Sequence, residues 1–188
     1  MRIAILGWGS LIWDLETLAE HVTGEWNMSA GPPLPMEFSR ISPKRKMGLV
    51  VCLDPIDGVD CPTHVIQSAK NNLDEAISDL AARERAPIER IGSFCTDNQN
   101  SRMPAVIDRV ADWCNSNGWD GAVWTDLEPN FFEHTQNAFS TEAGYRYLRS
   151  LQGDMLAEAH RYISNSPRQT MTPMRRFLET DVWWNGLN

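Results

Sequence analysis

A single domain of mixed α and β structure is what this sequence predicts, and three observations carry the prediction. The chain has 188 residues, a length that fits one domain and strains to make two. Short apolar runs bounded by turn residues alternate along it with longer stretches of helical period. Hydrophobic residues make up 42% and charged residues 22%. That is an ordinary globular balance, in a chain able to bury roughly 70% of its unfolded surface without staples.

The elements follow in order. Residues 2–7 read as a short buried strand ending at Gly7, and residues 10–21 carry Leu11, Ile12, Leu15, Leu18 and Ala19 at helical spacing. The breaker cluster of residues 30–35 is a loop. Residues 36–42 alternate apolar with polar, the period of a half-buried strand. Pro43 to Lys46 is a turn, and 48–53 is a second, apolar strand. Asp54-Pro55-Ile56-Asp57-Gly58 supplies turn chemistry before a third strand at 64–68, so that an antiparallel meander is expected. Asn72 or Asp74 caps the clearest helix, whose stripe is Leu73, Ile77, Leu80 and Ala81 and which stops before Pro87. A strand at 89–95, a polar loop at 97–101 and a second amphipathic helix at 103–115 come next. Gly118 ends that helix as a left-handed cap. Residues 122–127 form a strand, and two helices at 141–151 and 154–163 flank Gly153. The tail from Pro167 onward carries no firm assignment. One domain over 1–188 is expected, with a helical C-terminal region of about 139–188 packed on it.

The formal charge is −8, which argues against a nucleic-acid partner, since phosphate binding needs a basic face. Lys44, Arg45 and Lys46 read as a solvated turn. Cys52, Cys61, Cys95 and Cys114 are widely spaced, as are the four histidines. A zinc site is therefore not expected, and buried free thiols in a reducing, cytoplasmic setting are. The opening apolar run is too short for a secretory leader, and no run approaches the ~20 apolar residues of a membrane span. Most of the eight tryptophans are expected to fill core and groove walls.

Three constellations could carry chemistry. The turn Gly7-Trp8-Gly9-Ser10-Leu11 lies between strand and helix. Glycines there let a ligand approach the backbone, and free amides would hold a carboxylate or oxyanion. A tight turn with no ligand is the competing reading. Glu84 stands on the last turn of the capped helix, near the negative end of its dipole, where a carboxyl can serve as a proton shuttle. A surface Glu flanked, as here, by Arg83 and Arg85 is usually just a solvated ion pair, and spacing alone favours that reading. Arg40 shares the even side of its strand with Met36, Phe38 and Ser42, and an arginine on an apolar face needs an anion. Asp126 and Glu128, at the end of the last strand, fit either a cleft or a turn cap.

The run Ile5-Leu6-Gly7-Trp8-Gly9-Ser10-Leu11-Ile12-Trp13 resembles the opening of the γ-glutamylcyclotransferases, most of all their ChaC-like, glutathione-specific branch. Phe38-Ser39-Arg40 resembles that family's aromatic-Ser-Arg strand, and Leu49 to Leu53 its next strand. Leu80-Ala81-Ala82-Arg83-Glu84-Arg85 resembles its Leu-x-x-Arg-Glu-Lys segment, with Glu75 matched as well. The likeness covers about the first 95 residues in the same order. Trp8 stands where the family has Tyr, Pro87-Ile88-Glu89 departs from its pattern, and the 103–115 helix and the C-terminal third have no counterpart there.

The resemblance implies a small antiparallel-rich β-barrel with flanking helices. It implies an intramolecular reaction in which the α-amino group of a γ-glutamyl amine or peptide attacks its own γ-carbonyl, yielding 5-oxoproline and a free amine. No metal or organic cofactor is implied. Glu84 takes the general acid/base role, and Ile5, Leu6, Gly7, Trp8, Gly9, Ser10, Leu11 and Arg40 fall to substrate binding. The expected partner is a small γ-glutamyl molecule, with no nucleic acid and no membrane, and the oligomeric state stays open. The alternative is a non-catalytic small-molecule-binding or interaction protein on the same scaffold.

Overall fold

Apolar strand residues and two amphipathic helices build the first half of the architecture. A computed structural model describes residues 1–187. Its strands are β1 (Ile3–Gly7), β2 (Val22–Asn27), β3 (Pro33–Ser42), β4 (Gly48–Leu53), β5 (Val59–Pro62), β6 (His64–Ser68), β7 (Ile91–Cys95), β8 (Asn98–Asn100) and β9 (Gly121–Thr125). Its α-helices are α1 (Leu73–Glu84), α2 (Pro104–Asn117), α3 (Phe131–Thr135), α4 (Thr141–Ser150), α5 (Gly153–Asn165), α6 (Pro173–Thr180) and α7 (Val182–Asn185). The class is mixed α and β. The expected barrel is not formed: the described strands make two open sheets, ordered β2-β6-β1-β9-β7-β8 and β4-β3-β5.

The single domain expected from length divides into two compact units, each made of two stretches of chain. One comprises Met1–Leu34 and Pro62–Leu127, the other Pro35–Cys61 and the chain from Glu128 onward.

The first unit holds the six-stranded sheet. β1 lies inside it, antiparallel to β6 and parallel to β9. Strand alternation sends Ile3 and Ile5 to one face, where they meet Ile66, Val123 and Ile91 and the α1 residues Leu73, Ala76, Ile77, Leu80 and Ala81. Asn72 caps α1 as expected, its side chain accepting from the amides of Asp74 and Glu75. Arg85, at φ 54°, closes the other end. α2 packs against β7 and β9 and ends at Gly118, at φ 68°, the left-handed cap foreseen. The expected three-strand meander is not formed, because β6 leaves β3 and β4 and pairs with β1 and β2.

The second unit packs α4 and α5 against β4. Tyr147 donates from its hydroxyl to the Met47 carbonyl at 2.6 Å, and the Phe38 and Tyr162 rings meet edge to face. Arg45 is buried and paired with Glu158 at 3.4 Å, so the basic run is not wholly a solvated turn. The unassigned tail contains α6 and α7. Thr172 caps α6, and Pro173 sits in its first turn, both local signals of a helix start. Buried Glu37 accepts from the Phe38 amide at 2.6 Å and the Met174 amide at 3.2 Å, and burial pushes its carboxyl above the usual range.

Candidate active site

The candidate site lies at the carboxyl end of β1, in the first unit. β1 is paired along both edges, with Ile5 facing Ile66 on one side and Val123 on the other, and Leu6 facing Val65 and Trp124. Ile5 and Leu6 are fully buried. Their backbone serves the sheet and their side chains the core, so they position the loop and offer it no ligand contact. Leu11 joins the same core cluster.

After Gly7 the chain extends through Trp8, buried like its neighbours, and turns at Gly9, at φ 56°, a left-handed conformation that glycine adopts without strain. No α-helix follows. Residues 9–12 and 16–21 form two separate 3-10 helices, and the helix expected over 10–21 is replaced by these tighter turns, broken at Trp13 to Leu15. The oxyanion site expected at that helix's start therefore has no helix behind it. The space above Gly7 is also taken. A Cβ there would stand 2.4 Å from the Trp26 indole, so this glycine admits a ring of the chain itself rather than a ligand.

Glu84 is brought to this loop, and topology explains how. β6 runs antiparallel to β1, so α1 starts near the amino end of β1 and ends near its carboxyl end. There Arg83, 2% exposed, donates to Glu84 Oε1 at 2.6 Å, to the Asp14 carbonyl at 2.6 Å and to Ser10 Oγ at 3.3 Å. One guanidinium thus joins the loop serine to the candidate acid/base. The pair is not solvated: the Glu84 side chain is 13% exposed. Arg85 points elsewhere, to Glu16 at 3.4 Å. Glu75 is exposed at the opposite end of α1.

His64 is the neighbour that sequence reasoning missed. It pairs with Gly7 across β1 and β6 and is fully buried. Its Nδ1 accepts from the Ser29 amide at 2.8 Å, which assigns the proton to Nε2. Nε2 is buried and has no acceptor among the described residues. Burial lowers the imidazole from its usual 6.5 to about 4, because a charged ring there would be desolvated.

Asp126 follows β9, parallel to β1. Its carboxylate accepts from Ser101 Oγ at 2.9 Å and the Arg102 amide at 2.7 Å. Burial raises its carboxyl above the ordinary range. It works as the turn cap of the two sequence readings, pinning the loop after β8. Arg40 belongs to the second unit. A register shift between Glu37 and Arg40 interrupts the β3 ladder, so the simple even-position face does not hold: Arg40 is half-buried and Ile41 fully buried. Arg40 donates to the Glu128 carbonyl of its own unit.

Among the described residues, no group of three or more His, Cys, Asp or Glu side chains is arranged to hold a metal ion. Arg83 had a signal in the sequence, since it stands three residues after Leu80 and so on the apolar stripe of α1. Trp26 and His64 had none, because only strand pairing brings them to Gly7. No known protein family matches the chain, and no curated protein or solved structure matches it either.

Proposed function

We propose that this protein is a cofactor-independent enzyme that cyclises a γ-glutamyl amine or peptide, with Glu84 shuttling the proton. The observation that carries the reading is the single guanidinium of Arg83 bound at once to Ser10 of the glycine loop and to Glu84. It supports the idea that loop and carboxylate act as one site, in the order the family resemblance implies.

The chemistry needs little else. The substrate's α-nitrogen bonds to its γ-carbonyl carbon, and the γ-amide C–N bond breaks. The proton lost by the attacking nitrogen passes to Glu84 and from there to the departing amine, so 5-oxoproline and a free amine account for every atom. The attack is already intramolecular, so catalysis reduces to holding the folded pose, moving one proton and stabilising the acyl oxygen. The amides of the Trp8–Ser10 turn are the candidates for that last role, with Ser10 Oγ beside them.

A second reading is favoured by Trp26, whose indole covers Gly7, and by the direct pairing of Glu84 with Arg83. On that reading the loop is a packed turn and the protein binds without turnover. A screen of γ-glutamyl amines and peptides, glutathione included, with 5-oxoproline detected as product, separates the two. The enzymatic reading expects turnover of at least one compound and a loss of roughly 10²–10⁴-fold in Glu84→Gln. Product formation that survives Glu84→Gln unchanged, or no product from any compound, overturns it.

A further inference from the structure

On the face of the first unit's sheet away from α1 lies a cleft of about 320 Å³, lined by Arg2, Thr23, Glu25, Val65, Gln67 and Trp113 together with Asn27, Ala30, Asn117 and Trp119. Thr23 and Gln67 are register partners on β2 and β6, as are Asn27 and Val65. Between them β2 is bulged: Gly24 takes φ 79° and the register shifts. A bulge on an edge strand re-aims side chains, and here Thr23, Glu25 and Asn27 all line the cleft. Trp113 forms the opposite wall, its indole N–H donating to the Ala30 carbonyl at 2.8 Å. It stacks on Trp119 with centroids 6.0 Å apart. The Arg2 guanidinium covers the Trp119 ring at 3.8 Å and donates to the Gly118 carbonyl at 3.2 Å.

Two opposite charges therefore line one cleft, and no ion pair joins them. Among the described residues, the side chains of Thr23, Glu25, Asn27 and Gln67 find no hydrogen-bond partner. Arg2, stacked on Trp119 and bonded to the Gly118 carbonyl, carries a planar guanidinium whose remaining N–H groups suit a carboxylate. Glu25 offers an acceptor for an ammonium. Val65, Ala30 and the Trp113 ring give a carbon skeleton an apolar wall.

From this we infer a binding site for a small zwitterion, a molecule carrying one carboxylate and one ammonium, such as an amino acid or a short peptide. A polyanion would meet Glu25, and a polycation would meet Arg2. A neutral sugar would hydrogen-bond to both groups but neutralise neither charge. The volume is at the small end of ligand sites.

The test is a titration of the full chain with glycine, 4-aminobutyrate, 6-aminohexanoate and glycylglycine. Hexanoate and hexylamine serve as single-charge controls and xylose as a neutral one. Binding is read from the indole N–H resonances of Trp113 and Trp119. At least one zwitterion should saturate, with its single-charge counterparts weaker by roughly tenfold. Glu25→Gln and Arg2→Gln should each weaken that zwitterion by a similar factor. Glu25 is exposed on an edge strand, so its substitution tests the site even where Arg2→Gln loosens Trp119. Glu84→Gln should leave this binding unchanged, which keeps the result separate from the proposed catalysis. The inference is overturned if no zwitterion moves the two signals, if single-charge or neutral probes bind as tightly, or if Glu25→Gln has no effect.

Discussion

Replacing Arg83 by methionine tests the candidate site and its stability together. Methionine keeps much of the buried stem but deletes the guanidinium that serves Glu84, the Asp14 carbonyl and Ser10. Stranding one partner of a buried ion pair costs about 3–5 kcal/mol. The Glu84 side chain is 13% exposed and regains some water, which places the expected loss near the lower end, about 3 kcal/mol. For a chain of this size that is a fall in Tm of roughly 6–12 °C. Glu84→Gln in the same background removes the stranded charge, so Arg83→Met with Glu84→Gln should cost less than the two single losses together, by about 1–2 kcal/mol. Urea unfolding of the wild type, both single variants and the double variant gives all four corners of the cycle. A loss below about 1 kcal/mol for Arg83→Met, or additivity within about 0.5 kcal/mol, would refute the claim that this guanidinium ties the loop to α1.

Three further outcomes are expected. His64, held near 4 when folded against its usual 6.5, binds fewer protons in the native state, so its contribution is present above about pH 6.5 and is lost as pH falls toward 4. Urea unfolding should show about 2 kcal/mol of this loss between pH 7 and pH 5, and His64→Gln should remove that part of the slope; an unchanged slope counts against the burial argument. Gly92→Ala would set a Cβ 2.1 Å from the fully buried Trp124 ring and should destabilise by about 1–3 kcal/mol, measured the same way, with a wild-type midpoint showing that the ring yields freely. Burial pushes the Cys114 thiol up to about 12, and Cys52 and Cys61 are buried while Cys95 is half-buried. A colorimetric disulfide reagent at pH 8 should therefore label Cys95 first, and the other three only in urea; rapid native labelling of all four would contradict the burial described.

Local signals were legible in the sequence and non-local ones were not. The Asn72 and Gly118 caps, the stripe of α1, and β1, β4, β6, β7 and β9 follow from period and punctuation. β2 was missed because Val22-Thr23-Gly24-Glu25-Trp26-Asn27 is polar, glycine-interrupted and mostly exposed, as a bulged edge strand can be. The meander failed because a strand's period does not name its partner. The barrel followed from resemblance over half the chain, and the described strands do not close. α6 has a local signal in Thr172-Pro173, a cap followed by a first-turn proline. At the site, Glu84 and the loop were picked from motif spacing, whereas Trp26 above Gly7 depends on how β2 and β6 pair, which no local pattern encodes.

The topology gives Glu84 its place independently of any barrel. β1 and β9 are parallel neighbours, and such a pair gathers the chain leaving both strands at one end of the sheet. Ligands in open sheets with parallel strands bind beyond those carboxyl ends. The turn after β1 supplies Trp8 to Ser10, and the turn after β9 supplies Asp126. β7 enters the sheet at that same end, with Ile91 opposite Thr125, and α1 must deliver the chain to it. The last turn of α1 is therefore carried to the glycine loop by connectivity, and Arg83 locks it there. A carboxylate placed this way by the path of the chain cannot be moved to the far side of the sheet without reversing α1. Trp26 lies over Gly7 and Arg83 pairs with Glu84, so both bear on whether that carboxylate can shuttle a proton. Trp26→Ala uncovers Gly7 and leaves the Arg83–Glu84 contact in place. On the catalytic reading it should change KM more than kcat in the 5-oxoproline assay, and an unaltered KM would mean that no substrate passes over Gly7.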